Sequence, residues 1–290
     1  MKTILITGAS GFLGWNLCRV AQKEWQVFGV VNSHRIDVPG TTVVECDLTD
    51  GDSVAGLFAR IKPDAVVHAA AMADPIVCQQ HPDDSHKINV QASASIARCC
   101  GDFGIPLVYV STDLAFDGQH APYREEDPAS PISVYGMHKV DAERVVRAAC
   151  PHAIVCRMPL MFGNPGPVAK SFIQPMMRAI EQGKELRLYI DEFRTPVGGT
   201  SAAQGILLAL EKAKGILHCG GSRRISRYDI GVMLAKIMGR GARLVPVNQA
   251  ETVMIAPRPP DVSLDSSKAF ALGFRPKEIE EEMREAVAGE

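Results

Sequence analysis

Residues 7–14 read Thr-Gly-Ala-Ser-Gly-Phe-Leu-Gly and follow directly on the apolar run Ile4-Leu5-Ile6. A strand that breaks into a glycine turn and then opens a helix leaves little choice of fold. Gly8 permits the tight turn, Gly11 lets the backbone approach a pyrophosphate, and Gly14 lets the helix pack close to the strand. The helix start adds free N–H groups and a positive dipole end. The pattern predicts a dinucleotide site at the N-terminal end of the sequence, with Ser10 inside the turn.

Further along, strand-like and helical runs alternate. Strands are expected at Ile4–Thr7, Gln26–Val31, Thr42–Cys46, Ala65–His68, Leu107–Ser111 and Ala153–Arg157. Helices are expected at Phe12–Lys23, Ser53–Ile61, Lys87–Phe103 and Val134–Ala149. Such alternation predicts an α/β fold of Rossmann type, a doubly wound parallel sheet with helices on both faces. The pattern changes after Pro159. Residues 1–159 are therefore read as the nucleotide-binding domain and 160–290 as a smaller substrate-binding lobe, with the chain returning to the first domain around 197–215.

Composition excludes several classes. The net charge is −2, so no basic surplus points to nucleic acid. No apolar stretch approaches the ~20 residues of a membrane span, and with a strand opening directly at the N-terminus no signal peptide is expected. The eight cysteines form no C-x-x-C pair. Reduced thiols, no metal and a cytoplasmic protein are expected.

Two features carry chemistry. Tyr135 and Lys139 lie i, i+4, which on a helix puts phenol and ammonium on one face. A neighbouring cation favours phenolate, so the phenol is expected to titrate lower and to exchange a proton near neutrality. Thr112 ends the strand at Leu107, where a doubly wound sheet collects functional residues. The second strand runs into Asn32, Ser33, His34 and Arg35 without the carboxylate that would hold a ribose 2′-hydroxyl. Arg35, with Ser33 beside it, is placed to meet a 2′-phosphate, so NADP(H) is favoured over NAD(H). Arg194 and Arg258 suit a diphosphate on the substrate side.

The glycine turn, Asp47-Leu48, His68-Ala69-Ala70-Ala71, Asn89, Ser111-Thr112-Asp113 and Tyr135-x-x-x-Lys139 together resemble the extended short-chain dehydrogenases/reductases. The run from Ser111 to Gly118, and the run from Arg258 to Asp265 ahead of Lys268 and Leu272-Gly273, are similar to those of dTDP-4-dehydrorhamnose reductases. The resemblance implies a catalytic set of Thr112, Tyr135 and Lys139. It implies that Gly8, Gly11, Phe12, Leu13 and Gly14 hold the pyrophosphate, and that Asp47 and Leu48 flank the adenine. Ala69, Ala70 and Ala71 would line the cofactor path, Lys139 would also bond the nicotinamide ribose, and Asn89 would orient a helix. Asp113, beside Thr112, would meet the substrate.

The function so implied is NADP(H)-dependent reduction of a nucleotide-linked 4-keto-6-deoxy sugar. A sugar-nucleotide epimerase is one alternative. A non-catalytic subunit that keeps the fold, like the β subunit of methionine adenosyltransferase, is another. Met158–Gly163 and Phe193–Val197 depart from the rhamnose-reductase pattern, which leaves the nucleotide and sugar open. A homodimer through the long helices flanking the sheet is an alternative to a monomer.

Overall fold

The computed structural model describes residues 1–289. Its centre is a sheet of seven strands. These are β1 (Thr3–Thr7), β2 (Gln26–Val31), β3 (Thr41–Glu45), β4 (Ala65–His68), β5 (Leu107–Thr112), β6 (Ile154–Met158) and β7 (Ile216–His218). They lie in the order β7-β6-β5-β4-β1-β2-β3, and every pairing is parallel. The order reverses between β1 and β4. Ligands of such sheets bind at that reversal, beyond the carboxyl ends of the strands.

Alternate strand residues enter different cores, as the pleat requires. Ile4, Ile6, Val67, Val108 and Val110 pack on one face against α1 (Phe12–Ala21) and α5 (Gly199–Lys212). Leu5, Val66, Leu107, Tyr109 and Val155 pack on the other against α2 (Gly51–Ile61), α3 (Ala92–Phe103) and α4 (Val134–Ala149). Burial on both faces explains why these strands read as continuous apolar runs. Each fully buried aliphatic side chain contributes about 1.5–3 kcal/mol.

The chain reaches β7 and α5 only after an excursion through a second core. That core is built on Phe162, Ile173, Ile180, Ile230, Leu234 and Met283. Three separate two-stranded pairs accompany it. Met161–Phe162 pairs with Val197–Gly198, and Phe193–Arg194 runs antiparallel to Ile225–Ser226. The third joins Glu185–Tyr189 to Arg243–Val247.

The helix expected over 87–103 is interrupted. An α-helix at Pro82–His86 passes into a π turn at Lys87–Gln91 before α3 begins. Asn89 lies in that turn. Its side chain accepts from the Met72 N–H at 2.9 Å and donates to the Met72 carbonyl at 3.0 Å. Tethering of this kind holds the five-residue turn, a form found often beside functional sites. A short helix at Pro75–Gln80 also stands where no element is expected. Asp74 caps it through the Ile76 and Val77 N–H groups, and Pro75 sits in its first turn.

Gly14 fixes how closely α1 approaches β1. A Cβ there would stand 2.0 Å from the Gly8 carbonyl oxygen and 2.9 Å from the Ala9 Cα, both backbone. Relief requires moving the helix. Gly14→Ala is therefore expected to destabilise by about 1–3 kcal/mol, despite the better helix propensity of alanine. An unchanged denaturant midpoint for this variant would show that the close approach is not needed.

Candidate active site

Two joined grooves run along the carboxyl edge of the sheet on either side of the glycine turn. One, of about 380 Å³, is lined by Gly8, Ser10, Gly11, Asn32, Asp47, Leu48, Ala69, Ala70 and Ala71, with Val30, Val31, Cys46 and Thr49 around them. The other, of about 410 Å³, shares Gly8, Gly11, Ala69 and Ala71 and adds Phe12, Leu13 and Gly14. The N-terminus of α1 faces this junction. No side chain caps it and no acidic residue lies in its first turn, so its dipole end is free for an anion. The donor set therefore fits a dinucleotide: a wall of small residues, exposed helix amides, and a pocket on each side.

Not every residue expected to hold the cofactor lines these grooves. Ser33 and Arg35 stand outside them. Arg35 lies along β3 instead, its guanidinium 3.1 Å from Glu45, with 83% of its side chain exposed. The partner comes from an adjacent strand, which local reading of the 32–35 loop does not reveal.

A buried hydrogen-bond chain sets the backbone at Ala69 and Ala70. The Thr7 hydroxyl accepts from both N–H groups, at 3.2 and 3.1 Å, and meets His68 Nδ1 at 2.7 Å. His68 Nε2 meets the Ser93 hydroxyl at 2.9 Å, and Ser93 donates to the Asn89 carbonyl at 2.6 Å. All donors are satisfied when Thr7 donates to Nδ1 and Nε2–H donates to Ser93. Burial, helped by the charge of Lys139, pushes the His68 pKa down to about 3, so the ring is neutral.

The larger groove also brings Thr112, Tyr135 and Lys139 together. Ser133 caps α4 by accepting from the Gly136 N–H at 3.1 Å, which places Tyr135 in the first turn. A Cβ on Gly136 would stand 2.3 Å from the Leu114 carbonyl. The helix start thus presses on the turn that follows Thr112. Burial holds the Tyr135 pKa above the ordinary tyrosine value, with the neighbouring Thr112 opposing it; the Thr112 hydroxyl itself donates to Asp113 Oδ1 at 3.3 Å. The phenol therefore titrates higher, not lower as the i, i+4 ammonium alone suggests. The reason is the desolvation of the phenol itself; Lys139 is desolvated too, and burial pulls its pKa down to about 7, against the raising effect of Glu143. Its ammonium donates to the Val110 carbonyl at 2.6 Å and lies 4.2 Å from the Tyr109 ring centre.

Below this set, Glu143 takes both arms of Arg157, at 3.0 and 2.8 Å, and the Ser111 hydroxyl. The pair is buried. Its clearest consequence is geometric, since it ties α4 to β5 and β6 beneath Thr112 and Tyr135.

The far wall of the groove is ionic. Arg194 and Asp113 are both buried, with Nε and Oδ2 3.7 Å apart. Glu192 lies between three arginines: Arg227 at 2.8 Å, Arg194 at 3.4 Å and Arg258 at 3.5 Å. Burial pushes the Asp113 pKa up to about 6, with Arg194 opposing. Burial acts on Glu192 too, but Arg227, Arg194 and Arg258 hold its carboxyl below the usual range. Glu192 and Arg227 escape the sequence reading. Glu192 sits two residues before Arg194, and that proximity was a usable signal. Arg227 opens a helix in a distant segment and had none. The described residues contain no cluster of three or more His, Cys, Asp or Glu suited to a metal ion, and no helix long and apolar enough to cross a membrane.

Comparison with known proteins accords with this architecture. Methionine adenosyltransferase 2 subunit beta of Xenopus laevis is 30% identical over 283 residues, covering 94% of this chain and 83% of that protein. The crystal structure of a hypothetical dTDP-4-dehydrorhamnose reductase from Sulfolobus tokodaii superposes with a TM-score of 0.83 at 31% identity, covering 93% of this chain and 94% of that one. The dTDP-4-dehydrorhamnose reductase of Bacillus anthracis, solved in complex with NADP, has the same fold, with a TM-score of 0.86 at 22% identity and full coverage of both chains. The family model described as RmlD substrate binding domain matches residues 1–289, and the chain belongs to that family, within the extended short-chain dehydrogenases/reductases.

Proposed function

We propose that the protein is an NADP(H)-dependent reductase of a nucleotide-linked 4-keto-6-deoxy sugar. The observation that carries this reading is the meeting of Thr112, Tyr135 and Lys139 in one groove with the glycine turn and the arginine-rich wall. A bound nicotinamide supplies the hydride. The chain's own residues supply position and a proton. Thr112 holds the carbonyl oxygen through its hydroxyl. Tyr135 carries its proton at neutral pH, with burial holding its pKa above the ordinary tyrosine value, and gives that proton as general acid to the oxygen of the ketone under reduction. Lys139, pinned by the Val110 carbonyl, bonds the nicotinamide ribose and adjusts the phenol. Ser10, Gly11 and the start of α1 take the pyrophosphate, while Asp47 and Leu48 flank the adenine. Arg258 and Arg227, at the edge of the lobe, meet the diphosphate of the substrate. Asp113 and Arg194 lie closer to the reacting carbon.

The cofactor preference rests on the end of β2. No carboxylate stands there to hold a 2′-hydroxyl and repel a 2′-phosphate. Arg35 is engaged by Glu45, but an exposed ion pair is worth only about 0–1 kcal/mol, and a phosphate competes with it. A second reading, that of a binding subunit without turnover, is favoured by the relatives named methionine adenosyltransferase 2 subunit beta. Nucleotide-linked 4-keto sugars assayed with NADPH by nicotinamide absorbance decide between the two.

Three outcomes are expected. Tyr135→Phe should keep the fold and lose about 10²–10⁴-fold in turnover; near-native turnover would remove the phenol from the mechanism. NADPH should bind more tightly than NADH by titration, and Arg35→Ala should remove most of the difference. Equal affinities in the wild type would defeat the preference. The third concerns Lys139, whose folded pKa of about 7 lies below its ordinary 10.5. Between these values the unfolded chain binds more protons, so stability rises with pH. This contribution is fully present above about pH 10.5 and is lost as pH falls through about 7. Denaturant midpoints across about pH 6–9.5 should climb for the wild type relative to Lys139→Met. Parallel curves would mean the amine is not desolvated.

A further inference from the structure

Lys139 is a buried cation without an anion. It is 3% exposed, and among the described residues it forms no ion pair. The carboxylate one turn on, Glu143, is taken by both arms of Arg157 and by the Ser111 hydroxyl. An ammonium has three donors, yet among the described residues this one has a single acceptor, the Val110 carbonyl. A charge taken out of water is costly unless something replaces its hydration. The other titratable groups around the amine supply no negative charge. Tyr135 on the preceding turn keeps its proton, burial pushes the Cys78 thiol up, and His68 on β4 is neutral.

What the amine does face is an aromatic ring. Lys139 Nζ stands 4.2 Å from the centre of the Tyr109 ring, inside the ~6 Å over which a ring face attracts a cation. Tyr109 directly precedes Val110 on β5. Two adjacent residues of one strand therefore hold the ammonium, one by its ring and one by its carbonyl. Leu107 and Tyr109 alternate onto the sheet face that α4 covers, where the Val66 and Val155 of the flanking strands are aliphatic. The Tyr109 side chain is fully buried, and its hydroxyl has no hydrogen-bond partner. The hydroxyl thus gives no reason for an aromatic residue at this position. The ring face against Lys139 does, since an aliphatic side chain such as that of Leu107 would fill core space without attracting a cation.

We propose that Tyr109 is a positioning residue that acts through Lys139: the electron-rich face of its ring keeps the buried amine charged at neutral pH and fixes it at the edge of the groove. This rests on the role given to Lys139 in the reductase reading and adds the group that sustains its charge. The attraction is greatest where water is excluded. The ring favours the charged form, so its loss lowers the Lys139 pKa further below the value of about 7 that burial leaves. The amine is then neutral at neutral pH, with no charge to act on the Tyr135 phenol.

The test follows the Lys139 amine by nuclear magnetic resonance in the full chain, labelled with carbon-13 at the lysine ε-carbon. The resonance missing from Lys139→Met identifies it. Tyr109→Leu should lower the Lys139 pKa by about one unit or more. Tyr109→Phe keeps the ring face and should titrate with the wild type. Trifluorinated phenylalanine at position 109 keeps the shape but draws electrons from the ring face, and should lower the pKa as Tyr109→Leu does. It carries the test if Tyr109→Leu fails to fold. With NADPH and a dTDP-linked 4-keto-6-deoxyhexose, the basic limb of the kcat/KM profile should move down by the same amount in the same two proteins. A Lys139 pKa left in place or raised by the fluorinated ring overturns the proposal, whatever Tyr109→Leu does. So does an equal fall in Tyr109→Phe. A lowered pKa with no reduction of the sugar by the wild type overturns the reductase reading alone, and reduction with an unmoved pKa overturns the role of Tyr109 alone.

Discussion

A lysine with almost no exposed surface holds the groove edge of the sheet together. Lys139 is 3% exposed and donates to the carbonyl of Val110, two residues before Thr112 on β5. A buried amine without that acceptor would be strongly unfavourable, so α4 must keep its register against β5. Once it does, Tyr135 on the preceding turn lines the same groove as Thr112, and Glu143 on the following turn meets Ser111 and Arg157. One buried contact thus orders Tyr135, Thr112 and the ionic pair beneath them. Burial shifts the lysine down and, acting on the phenol itself, raises the Tyr135 pKa.

Around this edge the fold separates two kinds of binding surface. The nucleotide side is made from backbone and small side chains. The glycine turn, three alanines and an uncapped helix N-terminus offer amides and room. The His68 chain keeps that backbone in place without adding charge. The substrate side is made from long charged side chains supplied by segments remote in sequence. Asp113 comes from the end of β5, Glu192 and Arg194 from one short lobe strand region, Arg227 from a lobe helix, and Arg258 from the proline-rich run. Opposed charges hold these segments as one wall, and the lobe packs on its own apolar core behind them.

Much of this is readable locally because the relevant periods are local. The burial of β1 on both faces follows from three adjacent apolar residues, and Tyr135 and Lys139 share a face because helical spacing is set by the backbone. The π turn at Lys87–Gln91 is different. It follows from Asn89 holding Met72, a contact across separate segments, and a helical apolar pattern continues through it undisturbed. The lobe strand Arg243–Val247 is hidden likewise, since its partner at Glu185–Tyr189 lies far off in the chain.

The sequence by itself determined the strand–turn–helix entry, the parallel alternation, the i, i+4 catalytic spacing and the lack of a carboxylate after β2. Each depends on neighbours within one or two turns of chain. Tertiary structure alone decided which charges meet. It set Arg35 on Glu45 and outside the cofactor grooves, gathered three arginines around Glu192, and raised the Tyr135 pKa where spacing suggested the reverse. The physical reason is that a charge's behaviour depends on desolvation and on partners brought in by folding, and neither is encoded in the residues beside it.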